Sequence, residues 1–264
     1  MFMKSVGLAL GAGGSLGLSE IGVLNILEKN NIPINYISGS SIGAIIGAHY
    51  ALYKNTKKME EDAISFIKDN KLRLFNIETV LERKKKIKKI ELFLEEVFGE
   101  KTFKDCKIPF CSTALDLESG KTVYLTKGRL KKAILASMSI PGVFPPVFYW
   151  GQWLVDGGFL DPVPLDYLLK KKLDVLIGVD LRVSYKKKFN KKPNYFELVH
   201  KIFNIFQLEM TSLKLDKIPQ KIIIRPKYTI VKDLFSLETA KSYIKAGEKG
   251  ALLQLPKIKK AIKI

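Results

Sequence analysis

YISGSSIGAIIGAHYALY, residues 36–53, packs a strand, a tight turn and a helix into one short stretch. Asn35 to Ile37 is strand-like, Gly39-Ser40-Ser41-Ile42-Gly43 is a run of turn-forming residues, and Ile42 to about Tyr53 reads as a small-residue helix. The turn has the form G-x-S-x-G, which sets a serine on a sharp bend between strand and helix. A side chain at either flanking glycine would crowd such a bend. The serine oxygen would then sit at the positive end of the helix beginning at Ile42. Small-residue turns recur by chance, and a serine here could simply cap the helix. The strand before it and the helix after it supply the context that makes Ser41 a candidate nucleophile.

The same pattern occurs once upstream. Ser5 to Leu10 is a short apolar strand, and Gly11, Ala12, Gly13 and Gly14 with Gly17 form a glycine-rich turn. Leu18 to Asn30 follows with Ile21, Leu24 and Leu27 at helical spacing. Downstream, Ile108–Leu115 and Lys121–Leu125 read as a hairpin turning at Glu118, Ser119 and Gly120. A helix over Leu130–Met138 runs into a proline-rich turn, and a strand over Gln152–Val155 ends at Asp156-Gly157-Gly158. Asp174–Val179 and Ile222–Ile224 are apolar and β-branched, as strands covered on both faces are. Alternating strands and helices predict an α/β layered sheet.

Residues 54–104 change character to charged amphipathic segments, including RKKKIKK at Arg83 to Lys89 and then IELFLEEVF, and read as a lysine-rich helical insertion. Lys186 to Lys192 reads as a basic exposed loop, and FELVHKIFNIFQLEM after it as a helix with a wide apolar face. With 264 residues, 47% hydrophobic and 27% charged, the chain is expected to form one domain over residues 1–264. Residues 36–53 and 133–155 are uncharged enough to resemble membrane spans, but serines and His49 interrupt the first and Pro141, Pro145 and Pro146 the second. The N-terminus reads as a strand rather than a signal peptide. Cys106 and Cys111 lack neighbours for a metal site and read as buried free thiols, in keeping with a reducing cytoplasm. The net charge of +19 is mostly lysine and favours an anionic partner. Nucleic acid is disfavoured, because the lysine runs lack interleaved arginine and aromatic residues.

A hydrolytic serine needs a base and an oxyanion site. The Gly11–Gly14 loop is rich in backbone donors at a strand-to-helix junction. Its glycines also resemble a dinucleotide turn, but no acidic residue follows the second strand, and the ending a phosphate-binding P-loop requires is missing. The chain has two histidines. His49 lies eight residues into the helix after Ser41, roughly 12 Å along its axis, out of reach. His200 sits on a lysine-flanked helix whose solvated face explains it. Asp156, on a turn with two glycines, is a candidate base, while Asp161, Asp174 and Asp180 compete with it on local chemistry.

GAGGSLGLSEIGVL at Gly11 to Leu24, GSSIG at Gly39 to Gly43, ASMSIPGVFPPV at Ala136 to Val147 and DGGFLDPVPL at Asp156 to Leu165 together resemble the motifs of the patatin-like phospholipase family, in the family's order, over about the first 180 residues. The resemblance implies a three-layer α/β/α sandwich around a mostly parallel sheet. It implies a Ser41–Asp156 catalytic dyad and an oxyanion hole of amides from Gly13, Gly14 and Ser15. Neither cofactor nor metal is implied. The implied activity is a serine acyl hydrolase of phospholipase A, lysophospholipase or carboxylesterase type, working on phospholipid or other lipid esters through an acyl-enzyme. An anionic membrane surface is then an expected partner, nucleic acid is not, and a cytoplasmic chain peripheral to the inner membrane face is expected. Two positions depart from the family: Leu16 stands where Arg or Lys is usual, and Glu20 where many bacterial members carry His. These departures predict a loop without its electrostatic aid or brace. Acyl transfer by the same dyad and an inactive lipid-binding relative both stay open.

Overall fold

The computed structural model describes residues 4–70, 80–182, 195–229 and 236–263. In chain order the elements are β1 (Val6–Leu10), α1 (Leu18–Lys29), β2 (Tyr36–Ser40), α2 (Ile42–Tyr53), α3 (Thr56–Asn70), α4 (Val80–Phe98), β3 (Phe110–Asp116), β4 (Thr122–Leu125) and α5 (Leu130–Ser137). β5 (Val147–Tyr149), β6 (Gln152–Asp156), α6 (Leu165–Leu169), β7 (Val175–Val179), α7 (Tyr195–Asp216), β8 (Lys221–Ile224) and α8 (Leu237–Ile262) complete the set, with 3-10 turns at Gly14–Gly17, Phe103–Asp105 and Gly157–Phe159.

The strands form one eight-stranded sheet in the order β5-β6-β3-β2-β1-β7-β8, with β4 also paired to β3. Its centre, β3-β2-β1-β7-β8, is parallel, and β4, β5 and β6 add antiparallel pairings on one side. Strand alternation sorts side chains to two covered faces. Val6, Leu8 and Leu10 of β1 and Val175, Ile177 and Val179 of β7 enter a large core shared with α1, α2, α4, α5 and α8. Ala9 and Leu176, the residues between, enter a second core with Leu165 and Leu168 of α6 and Leu215 of α7. The central strands are therefore apolar along their whole length, as the sequence predicts, and the architecture is a layered α/β sandwich.

β3 has more partners than any other strand. Its residues Phe110–Thr113 pair in parallel with Ile37–Ser40 of β2, and Ala114–Asp116 pair antiparallel with β6. β4 occupies the opposite edge along Ser112–Leu115. β2 and β6 therefore share one edge of β3 end to end, running toward each other, so that their C-terminal ends meet.

The lysine-rich insertion is helical where it is described: α3 and α4 bury Met59, Ile67, Ile90, Leu94 and Phe98 and bring the tilted rings of Phe66 and Phe93 to 4.5 Å between centroids. Residues 71–79 within it, and the basic segment 186–192, lie outside the described residues. One expectation is corrected: Cys111 is buried, but Cys106 is only partly so, because it sits just past the 3-10 turn that leads in to β3. Among the described residues, no helix is long and apolar enough to cross a membrane.

α1 and α8 cross at contact distance through Gly22 and Gly247. A methyl group on Gly247 would fall 1.8 Å from the Ser19 carbonyl oxygen, and one on Gly22 1.9 Å from that of Ile244. Both obstacles are backbone, so the helices themselves would have to separate. Gly247→Ala is expected to lower unfolding free energy by about 1–3 kcal/mol, measured by denaturant titration.

Candidate active site

Ser41 follows the last residue of β2 and precedes the first of α2, with φ 55° and ψ −121°. A left-handed φ is uncommon for a residue with a side chain and is held only where the surroundings enforce it. Here the enforcement is close packing. A Cβ on Gly39 would lie 2.2 Å from the Gly43 carbonyl oxygen, and one on Gly43 2.3 Å from that of Leu10. The two glycines of the turn thus let the bend fold onto itself and onto the end of β1. The Ser41 N–H donates to Ser137 Oγ at 2.9 Å, which ties the bend to the end of α5.

The Ser41 hydroxyl donates to Asp156 Oδ2 at 2.6 Å. This contact follows from the sheet register. Ser40 pairs with Thr113 and Asp156 with Ala114, consecutive residues of β3, so the ends of two strands 115 positions apart become neighbours. Asp156 is wholly buried. Its other oxygen accepts the Gly158 N–H at 2.7 Å, and its own N–H donates to the Ser139 carbonyl at 3.0 Å. Burial pushes its carboxyl up to about 7, partly offset by the hydrogen bonds from Ser41 and Gly158. A carboxyl tuned to neutrality and bonded to a serine hydroxyl is poised to accept a proton.

The competing residues are engaged elsewhere. Asp161 forms an ion pair with Lys214 at 3.0 Å and accepts from the Tyr124 hydroxyl. Asp174 holds Ser5 through its backbone and side chain, and Asp180 pairs with Arg182 and Arg225. His49 is buried against Asp62 at 2.9 Å, away from Ser41. His200 lies on α7, and its side chain is outside the described residues.

The glycine loop leaves β1 beside the serine bend. Gly14, at φ 55°, opens the 3-10 turn, where an N–H has no carbonyl a turn earlier to bond. The N–H groups of Gly13 and Gly14 have no acceptor among the described residues, whereas those of Gly11 and Ala12 are taken by Glu20 and the Pro162 carbonyl. Ser15 is buried in the same turn. Leu16 is 4% exposed and packs into the main core, so the loop presents no cation at that position. The expected loss of a brace is corrected by Glu20 itself. From the first turn of α1 it accepts the Gly11 N–H at 2.6 Å, fully buried, and burial drives its carboxyl well above the ordinary range.

A cleft with about 90 Å³ of room for water-sized molecules, partly open to solvent, is bordered by Gly14 and Ser41. Its walls are apolar: Ile42, Ile45 and Ile46 of α2, Phe66 and Ile67 of α3, Ile90 and Phe93 of α4, and Met138, Ile140 and Phe144. The helical insertion therefore lines the cleft that Ser41 borders. Two supporting contacts escaped sequence reasoning, although Glu20 itself stood out as a departure from the family. The Glu20 contact was legible only as an acidic residue in a helix's first turn, and Ser137 has no local signal, since it acts on a bend 96 positions away.

The model of the patatin-like phospholipase family matches residues 8–169. An uncharacterized NTE family protein of Mycobacterium bovis is 35% identical over 179 residues, covering 68% of this chain and 49% of its own length. A lysophospholipase NTE1 of Scheffersomyces stipitis is 30% identical over 247 residues, covering 90% of this chain and 15% of its own. The chain thus spans about half the length of the mycobacterial relative and a small part of the yeast one. Among solved structures, VipD from Legionella pneumophila shares the fold with a TM-score of 0.56 at 13% identity, over 97% of this chain and 67% of that one. Family model and curated relatives agree: this chain belongs to the patatin-like phospholipase family.

Proposed function

We propose that this chain is a serine acyl hydrolase that cleaves acyl esters of phospholipids or lysophospholipids, with Ser41 as nucleophile and Asp156 as base. The observation that carries the proposal is the 2.6 Å bond between the Ser41 hydroxyl and a buried carboxylate at the head of an apolar cleft. A fatty acyl chain in that cleft would lose apolar surface to the isoleucine and phenylalanine walls and present its ester to Ser41. Asp156 takes the hydroxyl proton as the oxygen attacks the carbonyl carbon. The oxyanion then forms toward the amides of Gly13, Gly14 and Ser15. Collapse expels the alcohol, which takes the proton from Asp156; Asp156 then takes a proton from water as it attacks the acyl carbon, and returns it to the Ser41 oxygen as the fatty acid leaves. The lysophospholipase name of the yeast relative supports this substrate class. The +19 charge suits an anionic lipid surface as the place where substrate is met.

Three outcomes are expected. Ser41→Ala should lower kcat on short-chain and phospholipid esters by about 10³-fold or more and abolish labelling by a fluorophosphonate. Equal labelling of the variant would refute the nucleophile. Because only ionised Asp156 accepts the proton, kcat/KM should rise about tenfold per pH unit on the acid side and level off above about 7. A profile flat down to about pH 5 would contradict that role. Asp156→Asn should remove activity yet raise Tm, more at pH 8 than at pH 5. The sign follows from linkage. The unfolded chain ionises this group near 3.8 and the folded chain near 7, so raising the pH between them favours unfolding of the wild type alone.

A further inference from the structure

Both tryptophans of the chain, Trp150 and Trp153, lie in the β5–β6 hairpin, and both are largely exposed, at 54% and 44%. Phe148, 51% exposed, stands opposite Trp153 in the strand register, with ring centroids 5.0 Å apart. At the tip, Trp150 and Gly151 have φ of 55° and 77°, a two-residue turn of the type that suits hairpins but favours Asn or Gly at its first position. A bulky ring is held there against local backbone preference. The space around the tip is open: a Cβ on Gly151 would meet no atom within 4 Å.

Lysines frame these rings. Lys127 Nζ lies 4.4 Å from the Trp150 ring centroid and Lys132 Nζ 5.3 Å from that of Tyr149. Neither lysine has a carboxylate partner among the described residues, whereas nearby Arg129 and Lys131 are neutralised by Glu100 and Glu95. Exposed tryptophans beside unneutralised lysines match the boundary of an anionic bilayer, where rings settle among headgroups and ammonium groups meet phosphates.

The hairpin's position relates it to the cleft. β6 runs from the tip toward Asp156, opposite in direction to β2, so the tip projects beyond the sheet end where Ser41 sits, roughly 20 Å from it at strand rise. The segment that lines the cleft with Met138, Ile140 and Phe144 passes through Pro145 and Pro146 directly into β5. Tip and cleft wall are thus one continuous piece of chain.

We propose that the β5–β6 hairpin docks the protein on anionic phospholipid surfaces, with Trp150, Trp153 and Phe148 entering the interface and Lys127 and Lys132 binding headgroup phosphates. The proposal rests on the lipid-ester reading for its purpose but is measured without turnover. Because both tryptophans of the sequence lie here, tryptophan emission excited selectively over that of the ten tyrosines reports on this hairpin. The Ser41→Ala protein mixed with phosphatidylglycerol vesicles should show a blue-shifted emission, quenched when the acyl chains are brominated, with little change on phosphatidylcholine vesicles. Lys127→Glu with Lys132→Glu should weaken cosedimentation with phosphatidylglycerol roughly tenfold or more. In the active protein, Trp150→Ala with Trp153→Ala should leave hydrolysis of a water-soluble short-chain ester intact and cut hydrolysis of phosphatidylglycerol vesicles about tenfold. Soluble-ester hydrolysis with no spectral shift and unchanged vesicle hydrolysis would overturn the docking role and leave the enzyme standing. A shift and quenching without any hydrolysis would support docking and remove the activity. A blue shift that grows with protein concentration in the absence of lipid would assign the hairpin to a second copy and overturn the proposal.

Discussion

A carboxylate sealed from water beside a single hydroxyl is the interaction on which the rest of this structure depends. Burying Asp156 disfavours its charge, and only two short hydrogen bonds, from Ser41 and the Gly158 amide, work against that. The result is a group balanced near neutrality. Holding it there requires that neither bond drift, and the surrounding sheet supplies this rigidity. β3 fixes Ser40 and Asp156 on adjacent residues, Ser137 holds the serine bend, and Ser139 holds the aspartate's backbone. Four separate segments converge on one bond, so the geometry does not rest on any single loop.

The same arrangement explains why glycine recurs where it does. The bend at Ser41 passes within contact distance of the end of β1, where a Cβ on Gly43 would meet the Leu10 carbonyl, and Gly14 of the turn that follows β1 borders the same cleft as Ser41. Side chains at Gly39 or Gly43 would push them apart. Glu20, whose carboxyl burial pushes well above its ordinary range, holds the start of that turn by accepting the Gly11 N–H. With Leu16 packed in the core, the loop presents backbone N–H groups and no side-chain cation at that position.

Around this polar centre the protein is apolar in one direction and basic elsewhere. α3 and α4 turn their phenylalanines and isoleucines toward the cleft and leave lysines outside, while the β5–β6 hairpin carries its aromatic residues outward. These two features account for exposed and buried aromatic surface that the fold alone does not need.

Much of this was legible in the residues. The unbroken apolar runs of β1 and β7, the turn chemistry at Gly39–Gly43 and the glycine loop are local properties, fixed by what each short segment can adopt with its immediate neighbours. On them rest the strand-helix alternation, the α/β class and the candidacy of Ser41. The choice among Asp156, Asp161, Asp174 and Asp180 was not local, since each is a plausible turn or capping carboxylate. Family resemblance pointed to Asp156, but the physical reason is the head-to-head meeting of β2 and β6 on one edge of β3. Glu20 as a brace, Ser137 as an anchor and the insertion as a cleft wall were likewise decided by tertiary structure, because each acts on a partner that chain spacing does not reveal.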